Sequence, residues 1–258
     1  MAQYNSIHLK KKYGQHFLKD ERFIATMLEH VCLDAQTNVF EIGGGAGVLT
    51  RAILRHPVHC VWTFEIDSQW ADQLRAIADI RLVVYNQDFL TVDFESFKPQ
   101  VPWTLLANLP YQITFPVLYR LQAHRELLRE GVIMIQEEVA QKIVKTHGRG
   151  YGFNSLFLQY FFEWTLLDKV PPHAFYPAPK VFSRLLYFKP KHDVATIADE
   201  AEFWKFVKAC FQQPRRTLRN NLMQTTLDYH CLDDHVLGLR AQQLTMADFM
   251  HLWQLLRK

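Results

Sequence analysis

Val39-Phe40-Glu41-Ile42-Gly43-Gly44-Gly45-Ala46-Gly47 is the stretch that decides the fold. A short β-prone apolar run passes without a break into glycines at positions 43, 45 and 47, and a helical pattern resumes at Val48. A strand turning this tightly into a helix needs residues without Cβ, so that a ligand can lie against the backbone at the helix start. The spacing is G-x-G-x-G. It departs from the dinucleotide pattern because Val48 stands where that pattern has its last glycine. No lysine of the P-loop type follows, which argues against ATP hydrolysis.

Outward from this turn, β-rich apolar runs at 61–66, 81–85, 103–107, 131–136 and 184–188 alternate with helical patterns at 70–78, 117–128 and 138–145. That alternation predicts an α/β fold, a mostly parallel sheet with helices on both faces. The most apolar stretch, 153–167, reads as a core helix rich in aromatics, too short to span a bilayer. After Lys189-Pro190-Lys191 the β-rich runs stop. Phe203, Phe206, Val207, Cys210 and Phe211, and later Phe249, Leu252, Leu255 and Leu256, stand at helix spacing. We therefore expect two domains, a ligand-binding domain over 1–190 and a small all-α domain over 191–258.

The 258 residues carry a formal charge of +3, a balance that permits nucleic-acid binding without requiring it. Cys32, Cys60, Cys210 and Cys231 are far apart and form no CxxC pair, so neither a zinc site nor a disulfide framework is expected. The first residues, MAQYNSIHLKKKYGQ, hold no apolar run. A cytoplasmic protein with no metal, no membrane partner and a monomeric state is expected.

Two acids sharpen the glycine turn. Glu65 ends the second predicted strand at the distance from Gly45 at which nucleotide-binding α/β folds place an acceptor for ribose hydroxyls. Asp88 follows the third strand, placed to accept from an adenine amino group. With Gly43 and Gly45 they predict a nucleoside cofactor at the carboxyl edge of the sheet.

The fourth strand ends in Asn108-Leu109-Pro110-Tyr111. The lone pair of adenine N6 is delocalised into the ring, which makes the amine a poor nucleophile. A carboxamide oxygen from Asn108 and a carbonyl from Leu109 or Pro110 can both accept from it, which draws the nitrogen toward sp³ geometry. Pro110 fixes the turn, and Tyr111 can stack on a base flipped out of its surroundings. For transfer from a sulfonium methyl, which is already electrophilic, the chemistry asks for alignment of nitrogen, methyl and sulfur and exclusion of water, not for a strong base.

Five segments, in order, resemble one family along nearly the whole chain. They are Gly14-Gln15-His16-Phe17-Leu18, Glu41 to Gly47, Asn108 to Tyr111, Ala174-Phe175-Tyr176-Pro177-Ala178-Pro179-Lys180-Val181, and Gln213-Pro214-Arg215-Arg216-Thr217-Leu218-Arg219-Asn220. The family is that of the bacterial small-subunit rRNA adenine N6-dimethyltransferases. His16 and Gly44 stand where it commonly has Asn and Pro, and Gln112 where it often has Asn.

The resemblance implies a class I (Rossmann-like) methyltransferase fold with a mostly parallel seven-stranded sheet and a small helical C-terminal domain. It implies S-adenosyl-L-methionine as cofactor, with contacts at Gln15, His16, Leu18, Gly43, Gly45, Glu65, Asp88 and Asn108. Phe175 would sandwich the target base against Tyr111. The implied partner is 16S rRNA in the assembling 30S subunit, methylated at two adjacent adenosines of its 3′-terminal hairpin. Basic residues at Lys10-Lys11-Lys12, Lys142, Lys145, Arg149, Arg215, Arg216 and Arg219 are candidates for phosphate contacts. Arg216 and Arg219, three apart, are expected on one helix face. A 23S rRNA adenine methyltransferase, a DNA adenine methyltransferase and a non-catalytic RNA-binding assembly factor remain as rival readings.

Overall fold

The computed structural model describes residues 15–100 and 102–257. Gly14 and the Lys10-Lys11-Lys12 cluster lie outside the described residues. The chain divides into two compact units, one of residues up to Ala140 with Glu163–Pro190, the other of Gln141–Phe162 with Lys191–Lys258.

In the first unit the order is β1 (Phe17–Leu18), α1 (Glu21–Glu29), β2 (Asn38–Ile42), α2 (Val48–Leu54), β3 (Cys60–Phe64), α3 (Ser68–Arg75), β4 (Leu82–Tyr85), β5 (Trp103–Asn108), α4 (Thr114–Ala123), β6 (Leu128–Gln136) and α5 (Glu137–Ile143). Next come α6 (Phe153–Phe161), β7 (Phe162–Val170), β8 (Phe175–Tyr176) and β9 (Ser183–Pro190). The chain ends in α7 (Glu200–Cys210), α8 (Leu218–Leu222), α9 (Asp234–Gly238) and α10 (Met246–Leu256).

Seven strands form one sheet in the order β4-β3-β2-β5-β6-β9-β7. The first five run parallel, and β9 is antiparallel to β6. Every residue of β2 is buried, as a central parallel strand covered on both faces requires. Its alternating side chains feed two cores. Phe40 packs against Trp62, Phe64, Phe97 and Trp103. Val39, with Val61, Leu106 and Val132, packs against Met27 of α1 and Ile53 of α2. The strand order reverses between β2 and β5, where open α/β sheets leave a crevice at their carboxyl edge.

Two expectations need correction here. The stretch 153–167 is not one helix, because α6 stops at Phe161 and β7 begins at Phe162. From Phe162 to Leu166 the burial alternates with period two, and pairing beside β9 supplies the hydrogen bonds that a helix would have made internally. The segment 141–162 belongs with 191–258, whereas the sequence placed it in the first domain. The cause is aromatic packing. Phe157, Tyr160 and Phe161 of α6 meet Trp204 of α7, and Tyr151 meets Phe211.

In the helical unit, Phe206 stacks on Trp253 and meets Phe249 edge-on, which joins α7 to α10. Thr245 and Asp248 close a capping box at the start of α10.

Candidate active site

One cleft in the first unit is lined by Gln15, His16, Gly43, Gly45, Glu65, Asp88, Asn108, Leu109, Pro110 and Tyr111, ten of the positions singled out from sequence. They meet because parallel strands end at one edge. Gly43 follows β2, Glu65 follows β3, Asp88 lies just past β4, and Asn108 closes β5. Ile42 and Ala107 are register partners across the β2–β5 reversal, so the glycine turn and the Asn108 turn leave the sheet side by side.

The glycine turn is built as the spacing required. Gly43, Gly45 and Gly47 all hold positive φ, at 75°, 49° and 74°. A Cβ on Gly45 would come within 2.5 Å of the Phe17 ring. At Gly44 a Cβ would lie 2.4 Å from Thr63 Cγ2 and 2.8 Å from Leu74, so the neighbours here fit a residue without a side chain.

Glu65 is buried, and each carboxylate oxygen accepts one backbone N–H, Oε2 from Gly45 and Oε1 from Asp67, both at 2.9 Å. One lone pair per oxygen is left for the paired hydroxyls of a ribose. Burial raises its carboxyl above the usual range, which those N–H groups oppose. Asp88 caps the following turn by accepting the Leu90 N–H at Oδ1, 2.9 Å, which leaves Oδ2 to accept elsewhere. Gln15 donates to Asp67 Oδ2 at 3.4 Å.

The Asn108 carboxamide is held in one orientation. Its Nδ2 donates to the His16 carbonyl at 2.9 Å, and since that carbonyl only accepts, Oδ1 is the atom left as an acceptor. The Leu109 N–H is tied to Met134 O at 3.1 Å, and the Pro110 carbonyl accepts the Ile113 N–H at 3.1 Å. This favours the Leu109 carbonyl as the second acceptor of the turn. Tyr111 is half-buried, its hydroxyl 2.8 Å from Ser183 Oγ, and burial raises its phenol above the ordinary value. The His16 imidazole stacks on the Tyr111 ring with centroids 5.8 Å apart and planes at 29°. Because Nδ1 lies 2.7 Å from the Pro177 carbonyl, it must be the protonated nitrogen of that ring.

Two expected residues do not join the cleft. Phe175 is only 2% exposed and packs in the core with Val170, Ala174 and Leu185. The reason is its strand register. In the antiparallel β1–β8 pair Phe175 faces Leu18. The ring against Tyr111 is His16, not Phe175. Leu18 is buried in the same core and lines a small adjoining cavity with Gly43 and Asn108.

The basic candidates Lys145, Arg149, Arg215, Arg216 and Arg219 all belong to the helical unit and are all exposed. Arg216 and Arg219 do not share a helix face. Thr217 is the N-cap of α8, accepting from the Asn220 N–H, so Arg216 precedes the helix. Arg219 is paired with Asp234 at 2.6 Å.

The residues that hold these groups carry no mark in the sequence. Ser183 anchors Tyr111 from 72 positions away. Buried Asn221 donates to the Cys210 carbonyl at 2.9 Å and accepts the Gln213 N–H at 3.0 Å, bracing the turn that carries Arg215 and Arg216. Gln159 donates to the Ile143 and Lys145 carbonyls at 2.7 and 2.6 Å. None of them stands in a motif, and no local signal marks them.

A family described as ribosomal RNA adenine dimethylase matches residues 7–255. The chain is 34% identical over 256 residues to the ribosomal RNA small subunit methyltransferase A of Syntrophotalea carbinolica, covering 96% of this chain and 97% of that protein. It is 35% identical over 254 residues to the protein of that name from Francisella tularensis subsp. novicida, covering 94% and 95%. In fold it is similar to a dimethyladenosine transferase from Plasmodium falciparum, with TM-score 0.78 and 24% identity over 92% of this chain and 96% of the other. It is also similar to the 23S rRNA methyltransferase ErmE, with TM-score 0.71 and 24% identity over 94% and 100%.

Proposed function

The chain belongs to the ribosomal RNA adenine dimethylase family, and on that premise we propose that it transfers methyl groups from S-adenosyl-L-methionine to the N6 atoms of two adjacent adenosines in the 3′-terminal hairpin of 16S rRNA, acting on the assembling 30S subunit. The observation that carries this reading is the fixed Asn108 carboxamide, whose nitrogen is held by the His16 carbonyl.

The residues present fit the cofactor. The glycine turn has no side chain to fill its cradle, Glu65 offers two carboxylate oxygens to a ribose, and Asp88 keeps Oδ2 for an adenine amino group. When bound, S-adenosyl-L-methionine supplies an electrophilic methyl group on a sulfonium. The chain supplies alignment. Asn108 Oδ1 and the Leu109 carbonyl accept from the target amino group and turn its lone pair out of conjugation. Pro110 sets the direction of the turn. Tyr111, steadied through its hydroxyl by Ser183, gives the base a flat wall. After the first transfer one N–H remains, and one acceptor still suffices to orient the nitrogen for the second. Holding the reactants in line can supply about 7–11 kcal/mol of the barrier.

Arg215, Arg216, Lys145 and Arg149 are the phosphate contacts of this reading. Arg219 contributes less while it is paired with Asp234.

The experiment is transfer of labelled methyl from S-adenosyl-L-methionine to under-methylated 30S subunits, with 23S rRNA as control substrate and nucleoside analysis of the product. N6,N6-dimethyladenosine in 16S rRNA, lost in Asn108→Ala, is the expected result. Product in 23S rRNA alone would replace the substrate, and transfer retained in Asn108→Ala would remove the proposed role of the turn.

A further inference from the structure

The chemistry above makes no use of the exposed side chains of 176–182, which include some of the most exposed large apolar groups of the first unit. Tyr176 is 46% exposed, Val181 45% and Phe182 44%. These groups are not exposed through looseness of the backbone. Tyr176 lies in β8, paired with Phe17 of β1. The Phe182 carbonyl accepts the Glu137 N–H at 3.0 Å, and Glu137 is gripped by Arg184 through contacts of 2.6 and 2.8 Å. The backbone that carries both rings is therefore fixed, which presents them at defined positions on the surface.

The position of the segment identifies the partner. Next to Tyr176, the Pro177 carbonyl takes the hydrogen bond from His16. Next to Phe182, the Ser183 hydroxyl meets Tyr111. His16 and Tyr111 are the two stacked rings of the cleft, so each exposed aromatic is the chain neighbour of a residue that anchors one of them. Glu137 is neutralised by Arg184, and two lysines adjoin the aromatics. The Lys169 ammonium lies 4.5 Å from the Phe182 ring centroid, and Lys180 is exposed between the two aromatics in sequence. Aromatic faces interleaved with lysines suit single-stranded nucleic acid, in which every base has a flat face and every link a negative charge.

We propose that Tyr176 and Phe182 form a stacking platform for the unpaired nucleotides that adjoin the target adenosine, with Lys169 and Lys180 meeting their phosphates. The platform rests on the reading of the cleft as an adenosine site. It holds the strand at the rim while the target base occupies the cleft, and it binds by stacking, without reading sequence.

The test measures binding of a short fluorescently labelled single-stranded oligoribonucleotide containing paired adenosines, by anisotropy, to the full chain and to Tyr176→Ala, Phe182→Ala, Phe182→Leu and Phe182→Trp. Calorimetry with S-adenosylhomocysteine reports on folding of the first unit in each variant. Each alanine variant is expected to weaken RNA binding about tenfold, the loss of one base–aromatic stack, with cofactor binding unchanged. Phe182→Leu should bind as weakly as Phe182→Ala, and Phe182→Trp should restore binding. Unchanged RNA affinity in both alanine variants with intact cofactor binding would overturn the platform. Full rescue by Phe182→Leu would overturn it too, assigning the patch to an apolar protein partner. Failure of the adenosine-site reading registers separately, as absent methyl transfer by the unmutated protein.

Discussion

Replacing Glu41 by Gln tests whether the strand beneath the glycine turn carries a proton. Glu41 is 1% exposed. Its Oε2 accepts from the Thr50 and Thr63 hydroxyls at 2.6 and 2.7 Å, while Oε1 is buried without a hydrogen-bond partner among the described residues. Burial, with the nearby Glu65 charge adding to it, raises the carboxyl from 4.5 to about 7. In that window the folded protein holds a proton that the unfolded chain has released. The contribution to stability is therefore full below about 4.5, falls as pH rises toward about 7, and is flat above. At 1.36 kcal/mol per unit the fall amounts to about 3 kcal/mol. Glu41→Gln stays neutral throughout. Its amide leaves a buried N–H without a partner, a constant offset of about 1–3 kcal/mol. The prediction thus concerns the slope. Denaturant unfolding of both proteins from about pH 4 to 8, with amide exchange of β2 as a local probe, should show the stability of Glu41→Gln rising by about 3 kcal/mol relative to the unmutated protein. Parallel curves would mean instead that Glu41 is ionised in the fold.

Other perturbations separate chemistry from architecture. Tyr111→Phe keeps the ring and loses the hydrogen bond to Ser183, so kcat/KM on 30S subunits should fall by about fivefold, the equivalent of one net hydrogen bond, with cofactor affinity unchanged. Phe175→Ala should lower stability by about 3–4 kcal/mol in denaturant unfolding, as an emptied core site does. A selective loss of kcat in a fully stable protein would instead restore the base-stacking role. Arg215→Glu with Arg216→Glu should weaken 30S binding and flatten its dependence on salt while calorimetry finds cofactor affinity unchanged. An unaltered salt slope would exclude that turn from the interface.

The chain carries much of this design locally. A β-run meeting Gly43, Gly45 and Gly47, an acid after the next strand, another after the third and Asn108-Leu109-Pro110-Tyr111 after the fourth are legible in order. Parallel strands end at a common edge, so order along the chain becomes proximity in the cleft. Strand and helix periods, and the change of texture after Lys191, are likewise properties of neighbouring residues.

The remaining features depend on partners far away in sequence. No glycine or proline separates α6 from β7, and the switch from helix to strand at Phe162 is made by the neighbouring β9. Phe175 is buried and Tyr176 exposed because β8 pairs with β1 in one register, and a slip of one residue would exchange them. His16 reaches Tyr111 and Pro177, and Ser183 reaches Tyr111, across 72 to 161 residues. The segment 141–162 joins 191–258 through Trp204, a residue whose type gives no sign of which helix it will meet. Local chemistry fixes which backbone conformation a residue prefers. Which distant side chain lies against it follows from how the layers close and bury their apolar faces together.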